Sequence, residues 1–302
     1  SLVDDSEDQD AFADRFFRVT FYGQKLKDMD GKTYIYRQKP LTHLYDFTNN
    51  IISKYSDIYG KDNIVQISES GKVDTTKLDL VNKVYIQITF VEPYIRGSKE
   101  KNSNNDNYTQ FFYDTPFVKT DDNSSDIGKA HQATMDKQWI RKTILTTEFE
   151  LPSVLIRSEV NPSSIEEKDL EPIKVVCRQI RDRTKQLEKA LESNDMMKTQ
   201  QLLHGSLLVQ VNEGPAKIAD VFLGDETKNK SKAADKLREA FILFMRQLRK
   251  GVSVHGKLTT QNPEFQPLQD ELEAGYESLK NKLSPLCFKN TAIYRQRGLV
   301  SV

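Results

Sequence analysis

The chain has 302 residues, which is long enough for two domains or one large domain with a sizeable core. Its 44 basic and 44 acidic residues cancel, so it lacks the excess positive charge of a typical nucleic-acid-binding protein. Its two cysteines, Cys177 and Cys287, form neither a metal-type spacing nor a disulfide framework. Without a signal peptide or an apolar run of membrane length, this pattern predicts a reduced, cytoplasmic protein.

Strand patterns dominate the first half of the chain, after an acidic start over residues 1–15 that predicts disorder. Apolar and polar residues alternate over 17–22 and again over 84–90, which is the period of two of a half-buried strand. One helix is predicted over Pro40–Tyr59, closed by Gly60, with an apolar stripe made of Leu44, Phe47, Ile51, Tyr55 and Ile58. A hairpin turn is predicted over 27–32 and leads into a strand over 33–38, and weaker strand candidates are 64–67, 111–113, 117–119, 143–149 and 154–160.

After Asn161–Pro162 the pattern changes to helix. Apolar residues recur at steps of three and four in three seams, and the segment Met196–Leu223 supplies a fourth, interrupted helix. Four amphipathic helices with short links predict an antiparallel four-helix bundle. The seams are Leu170, Ile173, Cys177, Ile180, Thr184, Leu187 and Leu191; Leu237, Phe241, Phe244 and Leu248; and Leu268, Leu272, Gly275, Leu279 and Leu286.

The fourth helix is interrupted within Gly205–Pro215, because Asn212, Gly214 and Pro215 disfavour a continuous helix. A short loop built into a helix is therefore predicted, with apolar Val211 at or near its tip. The alternative interpretation is an ordinary turn between two helices. His204 precedes this loop, and we expect it to cap or pack there rather than to act as a base.

Four stretches, Phe16–Gly23, Lys83–Tyr94, Arg141–Thr147 and Val209–Pro215, follow one another in the order found in a known family. With them the chain resembles, from about residue 16 to about residue 286, the catalytic dock homology region two of the DOCK family of Rho guanine-nucleotide exchange factors. The zizimin-type and zir-type branches are the most similar in appearance. The resemblance implies an α+β fold, with two roughly orthogonal antiparallel sheets followed by the bundle.

The boundaries expected on this basis are a β-rich GTPase-binding lobe over 16–160, a four-helix-bundle catalytic lobe over 161–288 and a tail over 289–302. The implied partner is a Rho-family small GTPase of the Rac or Cdc-forty-two type, and no nucleic acid or membrane segment is expected. In the family a helical dimerisation lobe precedes these two lobes, and nothing in this sequence corresponds to it. We therefore expect a monomer that forms a one-to-one complex, and a dimeric full-length protein.

The resemblance also implies a mechanism. Val211 would be the nucleotide sensor, an apolar side chain that offers no oxygen ligand and excludes magnesium from the nucleotide. Asn212 and Gly214 would shape the loop, and Pro215 would begin the second half-helix. Glu213 departs from other relatives, and its charge either helps expulsion or faces solvent. The alternative for Val211 is a buried anchor that folds the loop onto the bundle.

The sequence contains no motif for covalent chemistry: neither a phosphate-binding loop nor a dinucleotide fingerprint nor a metalloprotease motif occurs. This fits an exchange factor, which needs no cofactor of its own and acts on the nucleotide and magnesium of the GTPase. Two alternatives stay open. One is a non-catalytic GTPase-binding scaffold of the same fold, and the other is a lipid- or peptide-binding β module joined to a helical bundle.

Overall fold

A computed structural model describes residues 14–94, 107–119, 125–152, 154–208, 214–224, 230–259 and 262–287. The chain divides into two units, which we call the sheet unit (residues up to 131 and 140–169) and the helical unit (132–139 and 170 onwards). Strands fill the first and helices the second, so the predicted α+β class is confirmed. The predicted acidic start, through residue 13, and the predicted tail, 289–302, lie outside the described residues.

The described part contains nine strands and six α-helices, together with short 3₁₀ turns. The strands are β1 (Arg15–Tyr22), β2 (Thr33–Gln38), β3 (Ile64–Ile67), β4 (Val84–Pro93), β5 (Tyr108–Lys119), β6 (Ser125–Asp126), β7 (Gln138–Leu151), β8 (Arg157–Glu159) and β9 (Glu166–Leu170). The helices are α1 (Leu44–Tyr59), α2 (Pro172–Glu192), α3 (Met196–Leu207), α4 (Pro215–Leu223), α5 (Lys232–Thr259) and α6 (Gln266–Cys287).

The sheet runs in the order β8-β2-β1-β4-β5-β7-β9. Strand β4 joins its two parts, because Tyr85–Val91 pair with β1 whereas Glu92 and Pro93 pair with β5. The two expected sheets therefore share this strand. Most of the pairing is antiparallel, as expected, but β3 adds to β4 in parallel.

Strand β1 is buried on both faces, so the expectation of a half-buried strand was wrong. Phe17, on one face, belongs to a core cluster that includes residues of α1. Phe16, on the other face, packs in a second cluster with Phe111 and Leu145. Alternation of apolar and polar residues did not predict the burial of β1, because a charged residue on the second face, Arg18, is itself only 5% exposed.

Arg18 is held by a set of polar partners inside the sheet unit. Its guanidinium donates to the hydroxyl of Tyr113, and its Nη2 donates to the carbonyl oxygen of Ser70 and the Oγ1 of Thr89, each at 2.9 Å. It also lies over the ring of Tyr113, 4.2 Å from the ring centroid. Burial nevertheless lowers the pKa of Arg18, because desolvation disfavours its charge. These contacts anchor the loop that follows β3 to the middle of the sheet.

Helix α1 covers one face of the sheet and ends as predicted at Gly60, whose φ of 88° suits glycine. Its central apolar residues, Phe47, Ile51 and Tyr55, are buried. The ends of the predicted stripe are not, since Leu44 and Ile58 are exposed. The helix is longer than the apolar cluster it covers, so periodicity alone overestimated the buried stripe.

Strand β9 continues the sheet past residue 160, where the sequence placed the end of the β-rich lobe. It lies beside β7, and the Nε of Arg141 donates to the Oδ1 of Asp169 at 2.8 Å. The first helix of the bundle therefore begins only at Pro172, whose missing N–H suits the first helical position.

The helical unit is a bundle in which α3 and α4 together take the place of one helix, so the predicted bundle with one interrupted helix is confirmed. One apolar cluster fills it, and it includes Ile180, Leu237, Phe241 and Leu279 of the predicted seams. Cys177 is buried there, as expected, and burial raises the pKa of its thiol. None of the described helices combines the length and the apolar character that crossing a bilayer requires.

Candidate functional site at the helix break

The first half of the interrupted helix, α3, ends at Leu207 in the bundle core. Leu203 and Leu207 are buried, one turn apart, on the side that faces the other helices. The N–H of Leu208 donates to the carbonyl oxygen of His204 at 2.9 Å, which is the last helical hydrogen bond of α3. The end of α3 is therefore fixed by both packing and its backbone.

The second half, α4, begins at Pro215. Gly214 precedes it in an extended conformation, and its carbonyl oxygen accepts from the N–H groups of Lys217 and Ile218 at 2.9 and 3.2 Å. Gly214 and Pro215 are both buried. Because proline has no N–H, the first position of α4 adds no unsatisfied donor at this buried place. The chain thus re-enters the bundle at a fixed point.

Five residues, 209–213, separate these two fixed ends. The predicted sensor Val211 and its neighbours Asn212 and Glu213 lie among them, outside the described residues. Their roles therefore stay predictions. His204, which we expected to cap or pack beside the loop, is exposed in the last turn of α3, so it does not pack in the core, while capping of the loop stays a prediction. The reason is its position on α3, where Leu203 and Leu207 occupy the face that packs in the bundle.

Helix α6 packs against both halves of the interrupted helix. Leu272 and Leu279 of α6 are buried in the common core, and Gly275 lies between them in sequence. Next to it, Tyr276 packs against the same core, and burial raises the pKa of its hydroxyl. The break is therefore supported by one continuous helix that spans it.

A second surface, in the sheet unit, was missed by sequence reasoning. Exposed apolar side chains lie in the chain just before β8 and just after its partner β2: the N–H of Arg37 donates to the carbonyl oxygen of Ile156 at 2.9 Å, and Ile156 is exposed. Leu41 and Tyr45 follow Arg37 closely in the chain and are 64% and 75% exposed. An exposed apolar patch can mark a protein contact surface, whereas single exposed apolar residues are common and need no such explanation.

Leu41 is also held in an unusual backbone conformation. Its φ is 66°, and the N–H of Thr42 donates to the carbonyl oxygen of Lys39 at 3.2 Å, so Leu41 stands where such a turn usually has glycine. The left-handed conformation costs a bulky residue about 1–2 kcal/mol. The predicted helix stripe included neither Leu41 nor Tyr45, and single exposed apolar residues give no periodic signal in the sequence.

The arrangement at the helix break suits presentation of a loop rather than bond chemistry. In the part of the chain that the structure describes, no three His, Cys, Asp or Glu side chains come together as a metal site. What the break offers is a short segment, 209–213, whose flanking residues Leu207 and Gly214 are both buried.

Comparison with known proteins covers both units. One family model, described as DHR-2, Lobe B, matches residues 70–150, and another, DHR-2, Lobe C, matches residues 185–286. Dedicator of cytokinesis proteins 7, 8 and 9 of Homo sapiens are 35%, 32% and 31% identical to this chain, each over 90% of it. The chain spans only 12% to 14% of the length of these relatives. The lobe C match includes the helix break.

Proposed function

This chain belongs to the dedicator of cytokinesis family, as a part that includes lobes B and C of the DHR-2 domain, and on that premise we propose that it is a guanine-nucleotide exchange factor for Rho-family small GTPases. The observation that carries the proposal is the break between α3 and α4. It lies inside the lobe C match, is framed by Leu208 and Gly214, and contains the Val-Asn-Glu-Gly-Pro motif.

The proposed mechanism is linkage between two ligands of the GTPase. A protein that binds the nucleotide-free GTPase better than the loaded one must lower the affinity for nucleotide by the same factor. Val211 acts by entering the magnesium site, where a side chain without oxygen ligands displaces the ion. Loss of magnesium leaves the phosphate charge uncompensated, and GDP dissociates. Incoming GTP with magnesium then competes with the same loop and releases the GTPase.

The other loop residues support Val211 in this proposal. Asn212 and Gly214 shape the loop, and Pro215 fixes the point at which it rejoins α4. The chain uses no cofactor of its own, because the reaction makes and breaks no covalent bond. Buried, unpaired Cys177 and Cys287 favour a reducing compartment, so we place the protein in the cytoplasm.

One valine cannot hold a GTPase. Full burial of such a side chain contributes only about 1.5–3 kcal/mol, and a specific protein interface usually buries about 1,200 Å² or more. Most of the affinity must come from other surfaces, and we propose that both units supply them. The partner is a Rac-type or Cdc-forty-two-type GTPase, bound one-to-one by a monomeric fragment.

The test is release of a fluorescent GDP analogue from a panel of purified Rho-family GTPases. We expect the chain to accelerate release from at least one of the Rac-type or Cdc-forty-two-type proteins. Gel filtration should show a complex that is stable without nucleotide and magnesium and that dissociates when GTP and magnesium are added. A complex that survives both additions, with no accelerated release, would identify a non-catalytic scaffold. Binding to anionic vesicles with no GTPase binding would instead favour the lipid-binding alternative.

A further inference from the structure

Gly275 lies in the middle of α6, at the point where this helix meets the end of α3. A β-carbon at Gly275 would be 3.2 Å from the Cβ of Leu207, 3.2 Å from its carbonyl oxygen and 3.2 Å from the Cδ2 of Leu208. Contacts of 3.2 Å are closer than ordinary van der Waals contacts of 3.4–4 Å. The missing side chain therefore permits an approach of α6 to α3 that a β-carbon would allow only if Leu207 and Leu208 moved by a few tenths of an ångström.

A glycine inside a helix needs such a reason, because it destabilises the helix relative to alanine. The neighbouring residues on the same side of α6, Leu272 and Leu279, are buried leucines. The position could therefore hold an apolar residue if space allowed. The limiting neighbour is the carbonyl of Leu207, which belongs to the backbone and cannot rotate away as a side chain can.

Three other glycines of the bundle differ in this respect. A β-carbon at Gly251 or Gly256 would meet the outer atoms of a flexible side chain, Leu203 at 3.0 Å and Gln269 at 2.9 Å respectively. One at Gly205 would meet nothing within 4 Å. Of these four glycines, only Gly275 faces the backbone of the interrupted helix, and it does so at the last residues before position 209.

We propose that Gly275 is a positioning residue for nucleotide exchange. By letting α6 contact the Leu207 carbonyl, it fixes the end of α3, Leu207 and Leu208, directly before the segment that carries the proposed sensor Val211. This inference rests on the proposed function, although the contact itself involves only α3 and α6. An added methyl must displace Leu207 and Leu208 by a few tenths of an ångström.

The test compares Gly275→Ala with Gly251→Ala, which adds the same methyl group against a side chain of α3. We expect Gly275→Ala to lower nucleotide release at saturating exchange factor roughly tenfold, since misplacing a functional group by about an ångström can cost on the order of a hundredfold in rate. Its affinity for nucleotide-free GTPase should be unchanged. Gly251→Ala should leave both quantities unchanged. A purely structural role for Gly275 would lower affinity, thermal stability and release together, and would overturn the proposal.

A second measurement needs no GTPase. Amide hydrogen exchange of the free chain should change in peptides spanning residues 204–215 for Gly275→Ala and not for Gly251→Ala. If these peptides exchange identically in wild type and Gly275→Ala, the positioning role is wrong, whatever the nucleotide assay shows. If they differ but wild type releases nucleotide from none of the GTPases, the contact between α6 and α3 stands and the exchange function fails. Full nucleotide release by Gly275→Ala, with active wild type, also overturns the proposal.

Discussion

The sheet unit holds a loop in place, and the helical unit holds the end of a helix in place, by different means. In the sheet unit, buried polar side chains of the strands donate hydrogen bonds to a loop. Arg18 donates to the carbonyl oxygen of Ser70, and Gln87 donates to the carbonyl oxygen of Gly71 at 2.8 Å. In the helical unit, the end of α3 is fixed by close backbone packing at Gly275. The loop of the sheet unit is thus held by buried hydrogen bonds, whereas the end of α3 is held by a close contact that needs glycine at position 275.

This difference determines whether a substitution should lower stability or lower nucleotide exchange. Removing a buried donor leaves its acceptors unsatisfied, which costs about 1–3 kcal/mol for each group. Adding a methyl at Gly275 moves the neighbouring backbone, and the gain in helix propensity from glycine to alanine offsets part of the cost of the close contact. Substitutions in the sheet unit should therefore be detected first as instability, and substitutions at the helix break as lost exchange. The predictions that follow test this contrast, beginning with the largest effect.

Separating the two units should abolish exchange almost completely. Residues 170–302 contain every helix of the bundle, and we expect them to show a helical circular dichroism spectrum and cooperative melting. They should bind nucleotide-free GTPase poorly, because in the proposed complex the sheet unit supplies much of the surface that a stable interface needs, about 1,200 Å² or more. Their melting temperature should fall somewhat, since Met135, outside the fragment, packs against the core. Nucleotide release as fast as that of the whole chain would show that the sheet unit is dispensable.

Arg18→Met should be the most destabilising single substitution among those considered. One buried acceptor and two partly buried acceptors lose their donor, so we expect the free energy of unfolding to fall by roughly 3–5 kcal/mol in urea titrations. The control is Arg141→Met, because Arg141 pairs with Asp169 nearer the surface, where an ion pair contributes about 0–1 kcal/mol. Equal effects of the two substitutions would contradict a special role for the buried network.

Val211→Ala should reduce exchange with little change in melting temperature. It removes two carbon atoms from the proposed sensor, worth about 1.6 kcal/mol, which corresponds to roughly a tenfold loss of rate. Val221→Ala is the matched control, because Val221 lies on α4 and packs partly against the core. That control should lower the melting temperature slightly and leave exchange intact. If Val211→Ala instead lowers stability strongly, Val211 is a buried anchor of the loop.

The architecture was largely predictable because its apolar periodicity is strong. The seam Leu237, Phe241, Phe244 and Leu248 is fully buried, and α1 ends at Gly60 as predicted. Strand β9 was not predicted, since its sequence, Glu-Glu-Lys-Asp-Leu, has no apolar alternation. Its place beside β7 depends on a long-range partner, and the pair of Arg141 with Asp169 cannot be inferred from spacing.

The candidate site was predictable only in part, for a related reason. Gly214 and Pro215 predict a helix break, because proline lacks an N–H and restricts the conformation of the residue before it, which are local properties of the sequence. Gly275, by contrast, stood in the sequence as a member of an apolar seam, and only the three-dimensional contact with Leu207 reveals why it is glycine. The burial of Arg18 could not be predicted from the alternation in β1, because this local pattern carries no information about its partner Tyr113, which lies 95 residues away in the sequence.

Alkaline pH should weaken the helical unit through Cys287. Burial raises the pKa of this thiol to about 12 from an ordinary value of 9.0. The folded protein thus binds this proton more tightly than the unfolded chain does, so the contribution is complete below about pH 9 and is lost as the pH rises towards 12. Near pH 10 we expect the free energy of unfolding to be lower by about 1 kcal/mol than near pH 8. Cys287→Ala should remove this part of the pH dependence; an unchanged difference between the two pH values would contradict the assignment.

Gly205→Ala should give the smallest effect, and one of opposite sign. Gly205 is exposed near the end of α3, and an added β-carbon would meet no atom within 4 Å. The substitution should therefore raise the free energy of unfolding by about 0.5–1 kcal/mol through helix propensity alone. Gly275→Ala makes the same change in propensity, but its methyl meets the Leu207 carbonyl, so it should show less gain or none. Urea titrations of both variants separate the two contributions. Equal stabilisation by both would mean that the contact at Gly275 yields without resistance, and the bundle would then fix the end of α3 by its leucines alone.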